Sequence, residues 1–198
     1  MNNQVIIHGQ FTRICTNQKG THVLMVRIRG RLNKTVEVVL DKVLDRQFKT
    51  GDYVIVKGRM VGFEYQNYAT QLRKQIQYVL FESIEKATSE MQEVFGEEGI
   101  SFPRQTFDCF LDCFISEITE HELFITLRGE GEDTRPVRLR LMHYGSATRK
   151  IRQMQRGDRV YILSEAMENK SNQDNTYCSL IIKDIVKGEK NDGEKGQF

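Results

Sequence analysis

Residues Lys49–Tyr68 read KTGDYVIVKGRMVGFEYQNY. Gly51-Asp52 opens the stretch with a turn signal, because Gly supplies the backbone freedom that a tight reversal needs. Val54, Val56, Gly58 and Met60 then alternate with Ile55, Lys57, Arg59 and Val61. That period of two predicts a strand with one buried face. The outward set runs on into Phe63 and Tyr65, with Tyr68 just beyond. Cations followed by aromatic rings along one face suit the stacking of bases beside phosphates. The plain alternative is a surface hairpin with a few amphipathic side chains.

Upstream, Val5–Ile14 (VIIHGQFTRI) reads as a first strand with a bend or bulge at Gly9. In His22–Gly30 (HVLMVRIRG), Leu24, Val26 and Ile28 share one face while Arg27 and Arg29 share the other. Arg31 and Lys34 extend that basic side into the next loop. Thr35–Leu40 is a third strand with Val36, Val38 and Leu40 inward, and Asp41–Lys49 has the spacing of a short helix or turn. Downstream of the central stretch, a polar loop at 66–75 carries Tyr68, Arg73 and Lys74, and Ile76–Ile84 makes a fifth strand. Five strands with a short helix between the third and fourth is the order of an OB-fold, a five-stranded Greek-key barrel.

Residues 87–99 change character. Ser89 followed by Gln92 forms a capping-box pattern, and Met91, Val94 and Phe95 fall on one helical face. This predicts a short helical linker. After it the first half recurs: HVLMVRIRG (22–30) matches HELFITLRG (121–129), and VIIHGQFTRI (5–14) lines up with CFLDCFISEI (109–118). KTGDYVIV (49–56) matches QRGDRVYI (155–162), and IQYVLFESI (76–84) matches TYCSLIIKDI (176–185). Four blocks in the same order imply a duplicated small domain. The expected fold class is therefore all-β, with two tandem OB-fold barrels joined by the helical linker. The expected domains are a basic barrel over 1–88, the linker over 89–105, a second, near-neutral barrel over 106–187 and a flexible tail over 188–198.

Charge separates the copies. Residues 1–88 hold 14 Lys and Arg against 7 Asp and Glu, a net of +7, while 106–187 hold 12 against 13, a net of −1. Where the first copy has Gly58–Tyr65, the second has Ser164–Ser171 with no ring. Attraction to phosphate grows with the number of cations that meet it, so the first copy is the expected polyanion binder and the second a support or assembly surface.

VIIHGQFTR and GDYVIVKGRMVGFEY resemble the first strand and the strand-four hairpin of bacterial single-stranded DNA-binding proteins. Many members of that family carry an aromatic residue seven positions after the last Gly of the second pattern, and Tyr65 stands seven after Gly58. The resemblance covers about the first 85 residues well and the second copy weakly. It implies sequence-independent binding of single strands, by stacking and by cationic grooves. This chain departs from the family in having no Trp and in ending on a mildly acidic run to Phe198, without the family's Asp-Asp-Ile/Leu-Pro-Phe ending. The resemblance therefore points to a divergent member, from a mobile element or an accessory replication system. Because the family often assembles four barrels, it also implies a homodimer of this two-barrel chain.

Other chemistry is sparse. Cys109 and Cys113 lie four apart on one strand face, which fits buried thiols better than a zinc ribbon. His22 and His121 hold equivalent places in the repeat, which points to a structural role. No phosphate-cradling loop, HExxH or GxSxG is present. No enzyme activity, cofactor or metal site is expected. Four Cys suggest reduced thiols in the cytoplasm, and neither a secretion signal nor a membrane span is read.

The expected function is single-stranded DNA binding in replication, recombination or transfer. Phe63, Tyr65 and Tyr68 would stack bases, and Arg27, Arg29, Arg31, Lys34, Lys57, Arg59, Arg73 and Lys74 would meet phosphates. Single-stranded RNA is an alternative ligand. The alternative from another class is an OB-fold protein-interaction module in a replication or conjugation assembly.

Overall fold

The computed structural model describes residues 3–16, 20–29, 34–44, 48–66, 73–87, 92–95, 100–103, 105–127, 136–172 and 175–188. The first half contains β1 (Asn3–Thr16), β2 (His22–Ile28), β3 (Lys34–Leu40), β4 (Tyr53–Gln66) and β5 (Arg73–Lys86). After the short strands β6 (Gln92–Phe95) and β7 (Ile100–Pro103), the second half contains β8 (Thr106–Ile118), β9 (Glu122–Leu127), β10 (Val137–Met142), α1 (Gly145–Ile151), β11 (Arg159–Asn172) and β12 (Asn175–Lys187). Among the described residues α1 is the only helix, and no helix is long and apolar enough to cross a membrane.

Alternation decides which side chains form the core. Leu24, Val26 and Ile28, then Val36, Val38 and Leu40, are buried as the period of two requires. In the first half β1 pairs with β2 and β4, β2 with β3, β3 with β5 and β5 with β4, so the pairing returns on itself. The second half repeats that circuit with β8, β9, β10, β12 and β11. Pairing of β1 with β8 joins the two circuits into one ten-stranded sheet. In that ladder Val5 faces Cys109, the two residues that begin the aligned blocks 5–14 and 109–118. The halves are thus related by an approximate two-fold through this pair.

The Gly-Asp turns show how closely the halves repeat. Gly51 (φ 94°) and Gly157 (φ 88°) adopt the left-handed conformation that favours glycine. Their N–H groups donate to the carbonyls of Phe11 and Ile115, each at 2.8 Å. Asp52 Oδ2 accepts from the Lys49 backbone N–H at 2.8 Å and lies 3.2 Å from the Lys86 ammonium. Asp158 Oδ2 accepts from the Gln155 N–H at 3.0 Å and from Lys187 at 2.6 Å. In each half, the same carboxylate ties the turn to the last strand.

Two local expectations are corrected. The linker is not helical where described, because β6 and β7 pair antiparallel as a hairpin. A capping box contributes only about 1 kcal/mol, short isolated helices are marginal, and Val94, Phe95, Ile100 and Phe102 favour extended chain. In the first half, the described residues 41–44 and 48–49 form a bend and irregular chain, and 45–47, where the expected short helix or turn would centre, lie outside the described residues; the second half carries a helix, α1. The bulge expected at Gly9 falls between Phe11 and Arg13. Gly9 instead permits close approach, since a Cβ there would lie 2.6 Å from the Arg27 carbonyl oxygen.

Candidate nucleic-acid interface

β4 and β5 run past the point where β1 stops and form a two-stranded arm. Along the outward face of β4, Lys57, Arg59 and Phe63 are exposed, Val61 and Tyr65 half-buried. Register sets Leu80 of β5 opposite Arg59, Tyr78 opposite Val61, Ile76 opposite Phe63 and Lys74 opposite Tyr65. One face of the arm therefore carries three rings (Phe63, Tyr65 and Tyr78) on an apolar bed of Val61, Ile76 and Leu80, with Arg59 at its base. Phe63 is 46% exposed, a large apolar surface for a strand residue to leave in water. In the sequence, IQYVLFESI reads as an ordinary strand and gives no sign of where the Tyr78 ring lies. Only its register opposite Val61 puts it on this face.

The opposite face of the arm seats on the second half. Gly62 lies against β10, where a Cβ would overlap the Arg138 carbonyl oxygen. Gln75 Nε2 donates to that same carbonyl at 2.7 Å, and Glu64 lies 3.6 Å from the Arg138 guanidinium. Gln77, fully buried, donates through Nε2 to the carbonyls of Arg140 (3.0 Å) and Cys178 (2.6 Å), and its Oε1 accepts from the Arg140 N–H at 2.9 Å. At the foot of the arm, Asn3 exchanges two bonds with the Met60 backbone, at 2.7 and 2.9 Å. These two primary amides stand in for missing peptide partners and tie the arm at its foot and along its inner face.

The remaining residues named from the sequence are dispersed. Arg27 and Arg29 are exposed at the end of β2. Arg27 is opposite Gln10, while Gly58, next to Arg59, is opposite Val5. Five residues of β1 therefore separate the two sites, about 17 Å at strand rise. Lys34 donates to the Ala166 carbonyl at 2.8 Å and so belongs to the seam between the halves. Lys57 has Glu85 at 3.4 Å, an exposed and weak pair. Arg73 and Lys74 are placed by backbone register only, at the outer end of the arm. Arg31 and Tyr68 lie outside the described residues.

No protein-family model matches the sequence, and no curated protein is similar to it at a significant level. The fold has clear counterparts among solved structures. The wild-type single-stranded DNA-binding protein from Thermus aquaticus superposes with a TM-score of 0.59 at 13% identity, over 98% of this chain and 96% of that one. A deletion mutant of the Thermus aquaticus protein gives 0.52 at 13% identity, over 96% and 95%. At this identity the likeness is one of fold, and it marks this mostly β chain as OB-like along its whole length.

Proposed function

We propose that this chain is a sequence-nonspecific single-stranded DNA-binding protein built on two tandem OB barrels, each formed by one closed pairing circuit. The observation that carries the reading is the outward face of the arm, where Phe63, Tyr65 and Tyr78 share one surface with Arg59. Flat rings accept any base, and a cation beside them meets the phosphate that follows. Lys57 on the same strand, and Arg73 and Lys74 by register at the outer end of the arm, would add phosphate contacts, and Arg27 and Arg29 would engage a strand long enough to reach the end of β2; Arg31 and Tyr68 are proposed for the same ligand from the sequence alone. Lys34 serves the seam more than the ligand.

In this reading the protein is cytoplasmic and not an enzyme, and it acts as a homodimer that coats and protects single strands during replication, recombination or transfer. The two solved structures named above, both forms of the Thermus aquaticus protein, are single-stranded DNA-binding proteins by name, which supports the ligand class.

Fluorescence anisotropy with labelled oligo(dT) at two salt concentrations, with RNA and duplex competitors, tests the proposal. Expected is tight binding that weakens steeply with salt, competed poorly by duplex. Absence of binding to any single strand at low salt would overturn it. A protein-interaction module is the second reading, favoured by the large apolar side chains that the second half leaves exposed, Phe110, Tyr161 and Val186.

A further inference from the structure

A cavity of about 240 Å³ lies beside the far end of β1, at the entry to β4, and the nucleic-acid reading does not use it. Phe11, Ile14, Leu44 and Phe48 form its apolar wall, and the exposed residues Arg13 and Thr50 stand at its rim. The Phe11 and Phe48 rings are 6.1 Å apart and tilted by 33°. Phe63, on the arm, is ten residues along β4 from Tyr53, roughly 33 Å at strand rise. The cavity and the arm are therefore separate places on the molecule.

The two halves close this end differently. Leu40 pairs with His22 as the His143 N–H bonds the His121 carbonyl. From these equivalent points, ten residues lead from Leu40 to Gly51 and thirteen from His143 to Gly157. The difference is close to one helical turn. In the second half the longer segment contains α1, which buries Ala147 and Ile151 in the core, and Met154 packs against it. In the first half Leu44 and Phe48 pack against the core, and the cavity lies between them and β1. The rim differs as well. Where the second half has Glu117 and Arg156, the first has Arg13 and Thr50, so charge is balanced in one and positive in the other.

Size and chemistry select the ligand. An apolar cavity of about 150 Å³ takes benzene, and sites for drug-sized ligands begin near about 300 Å³. A cavity between these values holds one aromatic ring and a short acidic arm. The apolar wall has no amide or carboxylate to meet the edge of a base, and the Thr50 hydroxyl is engaged with the Thr12 carbonyl at 2.8 Å. Arg13 Nε donates to the Met25 sulfur at 3.3 Å. Thioether sulfur is a weak acceptor, which a carboxylate outcompetes for a guanidinium. We infer that this cavity binds a small aryl carboxylate, with the ring against Phe11, Ile14, Leu44 and Phe48 and the carboxylate on Arg13.

Saturation-transfer NMR and calorimetry of the full chain with phenylacetate test this inference, with phenylacetamide as the uncharged control. The acid is expected to bind with a dissociation constant of about 0.1–1 mM, the range for so small a ligand, and the amide at least tenfold more weakly. Arg13→Gln should weaken the acid at least tenfold and leave the amide unchanged; Arg13 is exposed, so this variant keeps the core intact. Leu44→Trp, which fills the cavity, should abolish binding of both. Oligo(dT) anisotropy should be the same for wild type, for both variants and with saturating acid. No binding of the acid at millimolar concentration, equal binding by Arg13→Gln and wild type, or displacement of the acid by oligo(dT) would overturn the inference.

Discussion

Gln77 and Cys178 meet across the seam between the two halves: the Gln77 side-chain amide donates to the Cys178 carbonyl at 2.6 Å. They hold matching places in the repeat, since Val79 pairs with Val38 of β3 as Leu180 pairs with Leu141 of β10. One copy has an amide there and the other a small thiol. The amide also bonds both the N–H and the carbonyl of Arg140, so one buried side chain ties the arm to β10.

Replacing Gln77 with Leu should therefore destabilise strongly. It removes the amide's bonds to the Arg140 N–H and to the Arg140 and Cys178 carbonyls in a buried site, at about 1–3 kcal/mol for each group left unsatisfied. Urea unfolding should show a loss of roughly 3 kcal/mol. An unchanged midpoint would mean that water replaces the amide.

Gly62→Ala tests the seat of the arm separately. The new methyl would meet the Arg138 backbone oxygen, which cannot swing aside as a side chain would. Overpacking of this kind costs about 1–3 kcal/mol. Hydrogen exchange should quicken along β4 and β5 beyond Met60 more than in β1–β3.

Tyr78→Ala should weaken oligo(dT) binding as much as Tyr65→Ala, each by about 1–3 kcal/mol, if the rings stack bases. Arg59→Ala should reduce the salt slope by about 1. Arg27→Ala should leave a three-nucleotide strand unaffected and weaken a twenty-nucleotide one, since Arg27 is about 17 Å from the base of the arm. Equal losses at both lengths would contradict the separation of the two sites.

The thiols should divide by burial. Burial pushes the Cys109 thiol up to about 12 and raises Cys113 and Cys178 as well, with negative neighbours adding to the rise at Cys113. Only Cys15 is partly open to solvent. A thiol-reactive dye at pH 8 should label one Cys quickly and the other three only on unfolding.

Acid stability should depend on Asp52. The Lys49 backbone N–H and then the Lys86 ammonium hold its carboxyl below the usual value of 3.8. A lowered folded pKa gives stability that is present above 3.8 and lost as pH falls through the folded value. Asp52→Asn should flatten the decline in melting temperature below pH 4, and an unchanged acid limb would refute this.

The sequence alone determined the five strands of the first half with their buried faces, the Gly-Asp turns and the repeat, though not the β6–β7 hairpin. These follow from interactions between residues close in the chain: alternation against a core, and glycine's freedom at positions 51 and 157. It also set Lys57, Arg59, Phe63 and Tyr65 on one face, because a single strand carries them all. Tertiary structure decided everything that needs two distant strands to meet. Register brought Tyr78 beside Val61, set Arg27 apart from Arg59 and engaged Lys34 at the seam. Local patterns carry no information about such pairings, because the hydrogen bonds that fix them join residues far apart in the chain.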